Sequence, residues 1–146
     1  MFSRICFFLV ITSLLFSSCK KDEEETIFRI NLIDTFPVEI IEFQENIYVR
    51  LSYQHPEGYI GFSDPDYLSL EVKDSRLSQA DYYHIIPVTP PDNSLSVTGE
   101  LLVEIDSPFV FGNGSVELVN FTIRIQDQNL VWSNEIVTPN ISVNKQ

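Results

Sequence analysis

The chain has 146 residues, of which 44% are hydrophobic and 21% charged, with a formal net charge of −12. A field of that sign repels nucleic acid and anionic lipid and favours cations or basic partners, so nucleic-acid binding is set aside. The two cysteines, Cys6 and Cys19, both lie near the N-terminus and leave no disulfide framework for the rest, so stability must come from a packed apolar core. The length suits one domain and is thin for two.

Residues 1–18 carry one cation, Arg4, and an apolar stretch from Ile5 to Phe16 broken only by Thr12 and Ser13. A membrane-spanning helix needs ~20 apolar residues, so this stretch is too short to remain as a span. It has the dimensions of a secretory h-region. The run Leu15-Phe16-Ser17-Ser18-Cys19 resembles a bacterial lipoprotein signal, with Phe16 where the pattern usually has leucine. The resemblance implies that Cys19 is lipidated and begins the mature protein, and that Cys6 is discarded with the leader. An ordinary signal peptide cleaved after Ser18 is the simpler alternative. One acyl chain binds a membrane only marginally, whereas the two or three of a mature lipoprotein make release negligible.

Residues 19–26 then form a tether. Lys20, Lys21, Asp22, Glu23, Glu24 and Glu25 offer no apolar face and cannot offset the entropy of being ordered. A cysteine followed by lysines and an acidic run resembles the export signal of Bacteroidota lipoproteins carried to the outer face of the outer membrane. That resemblance implies display on the cell surface; a plain spacer in the periplasmic leaflet is the alternative.

From residue 27 to 146 the pattern has period two, the mark of strands with one buried and one wet face. Candidate strands are Ile27–Ile33, Val38–Phe43, Ile47–Gln54, Leu68–Lys73, Tyr82–Ile86, Leu95–Ile105, Val116–Leu118, Phe121–Gln126, Val131–Val137 and Ile141–Val143. A change of apolar parity between Val116-Leu118 and Phe121-Ile123 predicts a bulge or turn near Val119-Asn120. Turn formers separate the runs, at Pro56-Glu57-Gly58, Asp64-Pro65-Asp66, Pro90-Pro91-Asp92-Asn93, Gly112-Asn113-Gly114 and Asp127-Gln128-Asn129. Only Ser75–Asp81 offers a short helical turn. The expectation is an all-β, antiparallel, immunoglobulin-like β-sandwich of about seven to nine strands, with an antiparallel barrel as the alternative.

Phe121–Asp127, Asn129–Asn134 with its Trp132-Ser133-Asn134 turn, and Val137-Thr138-Pro139 resemble the end of an immunoglobulin-like fold. Together with Val72–Arg76 and Asp81–His84 they resemble uncharacterised Bacteroidota surface lipoproteins, a likeness that carries no activity. The motifs of catalysis point the same way. His55 and His84 are isolated, with no Gly-x-Ser-x-Gly elbow and no His-Glu-x-x-His spacing around them. Acid pairs are too many for any one to single out a glycosidase cleft. A non-catalytic protein is expected.

Two binding readings remain open. The loop from His55 to Asp66 keeps the glycines and Ile60 of an Asp-Gly-Asp-Gly-Asp-Ile-Gly calcium run found in similar proteins, but has His55 and Tyr59 in place of acids. Glu57, Asp64 and Asp66, with Asp74 in addition, are the candidates for a weak calcium site; a glycine-bent turn without an ion is the simpler alternative. The aromatics Tyr48, Tyr53, Tyr59, Phe62, Tyr67, Tyr82, Tyr83 and Trp132 include candidates for stacking on a glycan or anchoring a protein, with Trp132 expected in the core. The expected function is a binding or accessory module; a structural subunit of an outer-membrane or envelope complex is the alternative, with the stretch Val131–Val143 as its docking edge. If the lipid reading holds, Cys19→Ser leaves the protein unprocessed or soluble on membrane fractionation; unchanged membrane retention would overturn it.

Overall fold

The computed structural model describes residues 27–87 and 95–146; the leader, Cys19 and the acidic tether lie outside them. All regular structure described is β: β1 (Arg29–Phe36), β2 (Glu39–Ile41), β3 (Ile47–His55), β4 (Leu70–Asp74), β5 (Asp81–Tyr83), β6 (Val97–Ile105), β7 (Val116–Val119), β8 (Phe121–Ile125), β9 (Ile136–Val137) and β10 (Ile141–Asn144). One layer has the order β1-β3-β6, and the other is built from β5-β4-β8-β9 and β2-β10-β7. The last two sheets run into one another. β7 continues into β8 past Asn120, and Thr138 carries the pairing between β9 and β10 by bonding Phe121 through its amide (3.0 Å) and hydroxyl (2.9 Å). All pairings are antiparallel except β2 with β10. The chain therefore crosses from the first layer to the second between β1 and β2, at Pro37-Val38.

The alternation read from the sequence places the core. β3 buries Ile47, Val49, Leu51 and Tyr53 with every second residue turned outward, and β8 does the same with Phe121, Ile123 and Ile125. These inward faces join one hydrophobic cluster that draws on every sheet. The β-branched and leucine side chains fit because a pleated strand carries them perpendicular to the layer. Gly99 on β6 has a specific reason: it pairs with Tyr53, whose ring lies across it where any side chain would stand.

Three sequence expectations are corrected. Parity does not switch near Asn120: Glu117, Val119, Phe121 and Ile123 share the inward parity, while Val116 and Leu118 are exposed outward residues. The apparent switch came from reading two exposed apolar residues as core. Ser75–Asp81 holds no helix: Ser75-Arg76 form a turn, closed by the Asp74 carboxylate accepting from the Arg76 amide at 2.8 Å, and Asp81 opens β5. The run Val131–Val137 is a strand only at Ile136–Val137. There the Ser133 hydroxyl, standing in for a backbone acceptor, takes the Ile125 amide at 3.0 Å and interrupts the ladder.

Side chains fasten the layers where strands do not. Asn134 lies along the outer edge of β1, its Oδ1 accepting from the Ile30 amide and its Nδ2 donating to the Ile30 carbonyl, both at 2.9 Å. At the same end, His55 closes β3 and Asp127 follows β8. His55 is 1% exposed and Asp127 4%, and their Nε2–Oδ2 distance is 3.1 Å. The His55 Nδ1 faces the amides of Glu57 (3.0 Å), Gly58 (2.8 Å) and Tyr59 (3.4 Å), so it is the acceptor and Nε2–H donates to the carboxylate. The second Asp127 oxygen accepts from the amides of Asn129 (2.9 Å) and Val131 (2.8 Å). One buried pair thus shapes two loops and joins the layers.

Removing the Asp127 carboxylate leaves the His55 Nε2–H and the amides of Asn129 and Val131 without their acceptor, and an unsatisfied buried donor costs about 1–3 kcal/mol. Asp127→Ala is expected to lower unfolding stability by that order in urea titrations. Ser142→Ala, on the outer face of β10, should be near neutral.

Candidate functional site

The structure separates the predicted calcium ligands. Asp64 accepts from the Asp66 amide at 3.0 Å, an Asx turn, and both are exposed. Glu57 turns the other way and accepts from Asn129 Nδ2 at 3.1 Å, while Asp74 is held by Arg76. Among the described residues no group of three or more His, Cys, Asp or Glu is placed to hold a metal ion. The loop has no other carboxylate to offer: His55 and Tyr59 stand in place of acids, and the His55 ring is turned inward onto the amides of Glu57, Gly58 and Tyr59. Both ring nitrogens of His55 are committed in the interior, out of a substrate's reach. His84 is half-buried, with Nδ1 3.1 Å from the Tyr67 carbonyl.

The aromatics divide. Tyr53 is core, Phe62 and Tyr67 stack on one another at 3.8 Å, and Tyr48 stacks on Phe36 across β1 and β3 at 5.6 Å. Trp132 is not in the core. It is half-exposed, with the Arg124 guanidinium 4.4 Å above its ring. Arg124 also grips Glu71 through two bonds of 2.9 and 2.8 Å, and the Tyr82 hydroxyl donates to Glu71 at 2.9 Å. The Arg124 bonds hold the Glu71 carboxyl below its ordinary value, and Glu71 in turn raises the Tyr82 phenol. This row stands on the outer face of the β5-β4-β8-β9 sheet. Beside it Glu71, Lys73, Ser78, Gln79, Ala80, Tyr82 and Arg124 line a polar groove of about 500 Å³.

A second feature was not anticipated from the sequence: three phenylalanines at one end of the sandwich. Phe43 and Phe109 stack at 5.4 Å and 15°, and Phe111 meets Phe109 edge-on at 4.8 Å. They are 66%, 42% and 47% exposed. The loops that carry them are held firmly. Glu42, itself buried, accepts from the Val110 amide at 3.0 Å and from the Gln146 amide at 3.2 Å. Arg76 donates to the Phe109 carbonyl (2.8 Å), to Glu117 (3.0 Å) and to Asp74 (2.7 Å), and its guanidinium lies 4.3 Å over the Phe111 ring. Glu117 accepts from the amides of Phe111 (3.1 Å) and Gly112 (2.6 Å). Those amides, with Arg76, hold the Glu117 carboxyl below its ordinary value.

Phe43 has φ +63°, a left-handed conformation that costs a bulky side chain about 1–2 kcal/mol. A strained, exposed aromatic ring is held in place at a loss, which directs attention to its use. The position is equally specific. β1 runs from Arg29 beside Gln54 to Phe36 beside Tyr48, so the chain enters the sandwich at the far end of β3 from the loop that holds Phe43. Nine residues of β3 at ~3.3 Å each separate the two ends by about 30 Å. In the sequence Phe43 ends the candidate strand Val38–Phe43, and Phe109 and Phe111 sit together in Ser107–Phe111, some sixty residues on; nothing in the chain brings the three together.

No protein-family model matches the chain, and no curated protein or solved structure is detectably similar to it. No helix among the described residues is long and apolar enough to cross a membrane.

The lowered Glu117 carboxyl fixes a pH dependence. A carboxylate held below its unfolded value stabilises the fold above that value and loses the contribution as pH falls through the folded one. Glu117→Gln is therefore expected to be less stable than the unmodified protein near neutral pH, the gap closing once the pH is well below 4.5, the ordinary glutamate value. Urea midpoints across pH 3–7 check it.

Proposed function

We propose that this chain is a non-catalytic binding module with an immunoglobulin-like sandwich, anchored to the bacterial outer membrane through lipidated Cys19 and displayed at the cell surface by the Lys20–Glu25 leash. The module grips an outer-membrane or envelope protein with its phenylalanine tip. The observation that carries this reading is the tip itself: three exposed rings, one on a strained backbone, fastened by partly buried ionic contacts at the end away from the start of β1. Rigid aromatic rings are effective anchors, since they bring area at low entropy cost. The immunoglobulin-like assignment is supported by the crossing of the first strand between layers, the parallel pairing of β2 with the last strand, and the β1-β3-β6 sheet facing β5-β4-β8-β9. A partner recovered in stoichiometric amount makes the protein a structural subunit of a complex; a substoichiometric one makes it an accessory module.

The groove beside Tyr82 supports a second reading, in which the module holds a sugar. Its walls offer donors from Lys73, Ser78 and Gln79 next to an exposed phenol ring. Loss of polysaccharide retention in Tyr82→Ala would favour it.

Photo-crosslinking tests the tip. A photoreactive phenylalanine analogue at position 109 is expected to give a discrete protein adduct in intact cells, and the same group at Gln54, on the opposite end, none. Phe43→Gly relieves the positive φ, so it should fold with stability within about 1 kcal/mol of the parent and yet lose the adduct. Equal adducts from both positions, or none from 109, would overturn the tip reading.

A further inference from the structure

The docking edge expected at Val131–Val143 is not free. β10 lies between β2 and β7, and β9 faces β1, where Asn134 already bonds Ile30. Among the described residues a longer terminal strand lies elsewhere. β6, nine residues long, ends the β1-β3-β6 sheet, and no backbone bond outside its ladder with β3 reaches it among the described residues.

A cleft of about 340 Å³ runs along this edge. One wall is β6 from Glu100 to Glu104 and the other is the extended segment Tyr83–Ile86, with Ile60 and Leu70 on the floor. The far wall is fixed: the Phe62 amide bonds the Ile85 carbonyl at 3.1 Å, and Gly61, at φ +81°, packs so close that a side chain would stand 2.6 Å from the Ile86 carbonyl. Five residues of β6 at ~3.4 Å each make a slot about 17 Å long, the length of one short strand. The cleft is thus an apolar trough beside an unused row of backbone donors and acceptors.

Charge selects the occupant. Thr98, Glu100, Leu102 and Glu104 face outward on β6, with Leu102 55% exposed between two glutamates. A second copy pairing antiparallel about Leu102 would set Glu100 against Glu104 twice, which like charges oppose. A strand with cations at alternate positions and apolar residues between them would meet both glutamates and fill the trough. We propose that β6 accepts an extended basic–apolar segment of another protein by strand addition, extending the β1-β3-β6 sheet to four strands. This surface is separate from the phenylalanine tip and does not rest on it.

The test uses the full mature chain in detergent and a blocked peptide of alternating lysine and valine, about as long as β6. Without peptide, alternate β6 amides between Thr98 and Glu104 should exchange rapidly; with peptide they should become protected. The double variant Glu100→Lys/Glu104→Lys, at exposed positions, should bind about tenfold more weakly. A matching glutamate–valine peptide should not protect β6. Four results would overturn the proposal: β6 amides uniformly slow without peptide, meaning the edge is already covered; no protection on adding it; equal affinity for the double variant; or equal protection by the glutamate peptide.

Discussion

The buried bond between His55 and Asp127 is the constraint on which the rest of this structure is arranged. A sandwich without disulfides holds its layers together by apolar contact alone, and apolar contact is non-directional. It resists separation but specifies loop shape poorly. The His55–Asp127 pair supplies direction. One imidazole collects three amides from the loop after β3, one carboxylate collects two from the loop after β8, and the bond between them joins the layers at a fixed spacing. Because both groups are out of water, each depends on the other, and the two loops fold as a unit.

The opposite end is organised by the same physics with a different outcome. There Asp74, Arg76 and Glu117 are partly buried and Glu42 is buried, and their bonds go to loop amides and carbonyls rather than across the core. The polar groups are satisfied inside, so the phenylalanines are left outside. An ordinary loop would turn such rings inward. Here these charged groups hold the loop backbone, Phe43, Phe109 and Phe111 shelter against one another, and Phe111 lies under Arg76. The two ends are thus specialised: one receives the chain and is knotted shut, the other presents apolar surface.

Between the ends, the edges of the sheets are treated unequally. The β1 edge is closed by a single asparagine that imitates a strand, bonding both the amide and the carbonyl of Ile30. The β6 edge carries no such cover among the described residues and is lined by Glu100 and Glu104. Acidic side chains on a terminal strand discourage self-pairing while leaving the backbone available.

Much of the architecture was legible in the chain because strand alternation is local: Ile47, Val49, Leu51 and Tyr53 declare an inward face without reference to anything distant. The acidic balance and the Cys19 leader are equally local signals, which is why a lipid anchor is proposed from the chain alone. The candidate calcium loop did not assemble because a ligand set is a distance relation, and Asp64, Glu57 and Asp74 are each engaged with a different partner. Trp132 looked like core because tryptophan is apolar; its exposure follows from Ser133 replacing a backbone acceptor and from Arg124 arriving beneath it from β8. The phenylalanine tip joins residues 43, 109 and 111, and the β6 edge depends on which strand ends the sheet order. The sequence by itself determined that this is an acidic all-β chain with an inward and an outward face on each strand. Only the tertiary structure decided which residues meet, because pairing across tens of residues is set by register, layer crossing and the burial of charge, none of which has a period in the chain.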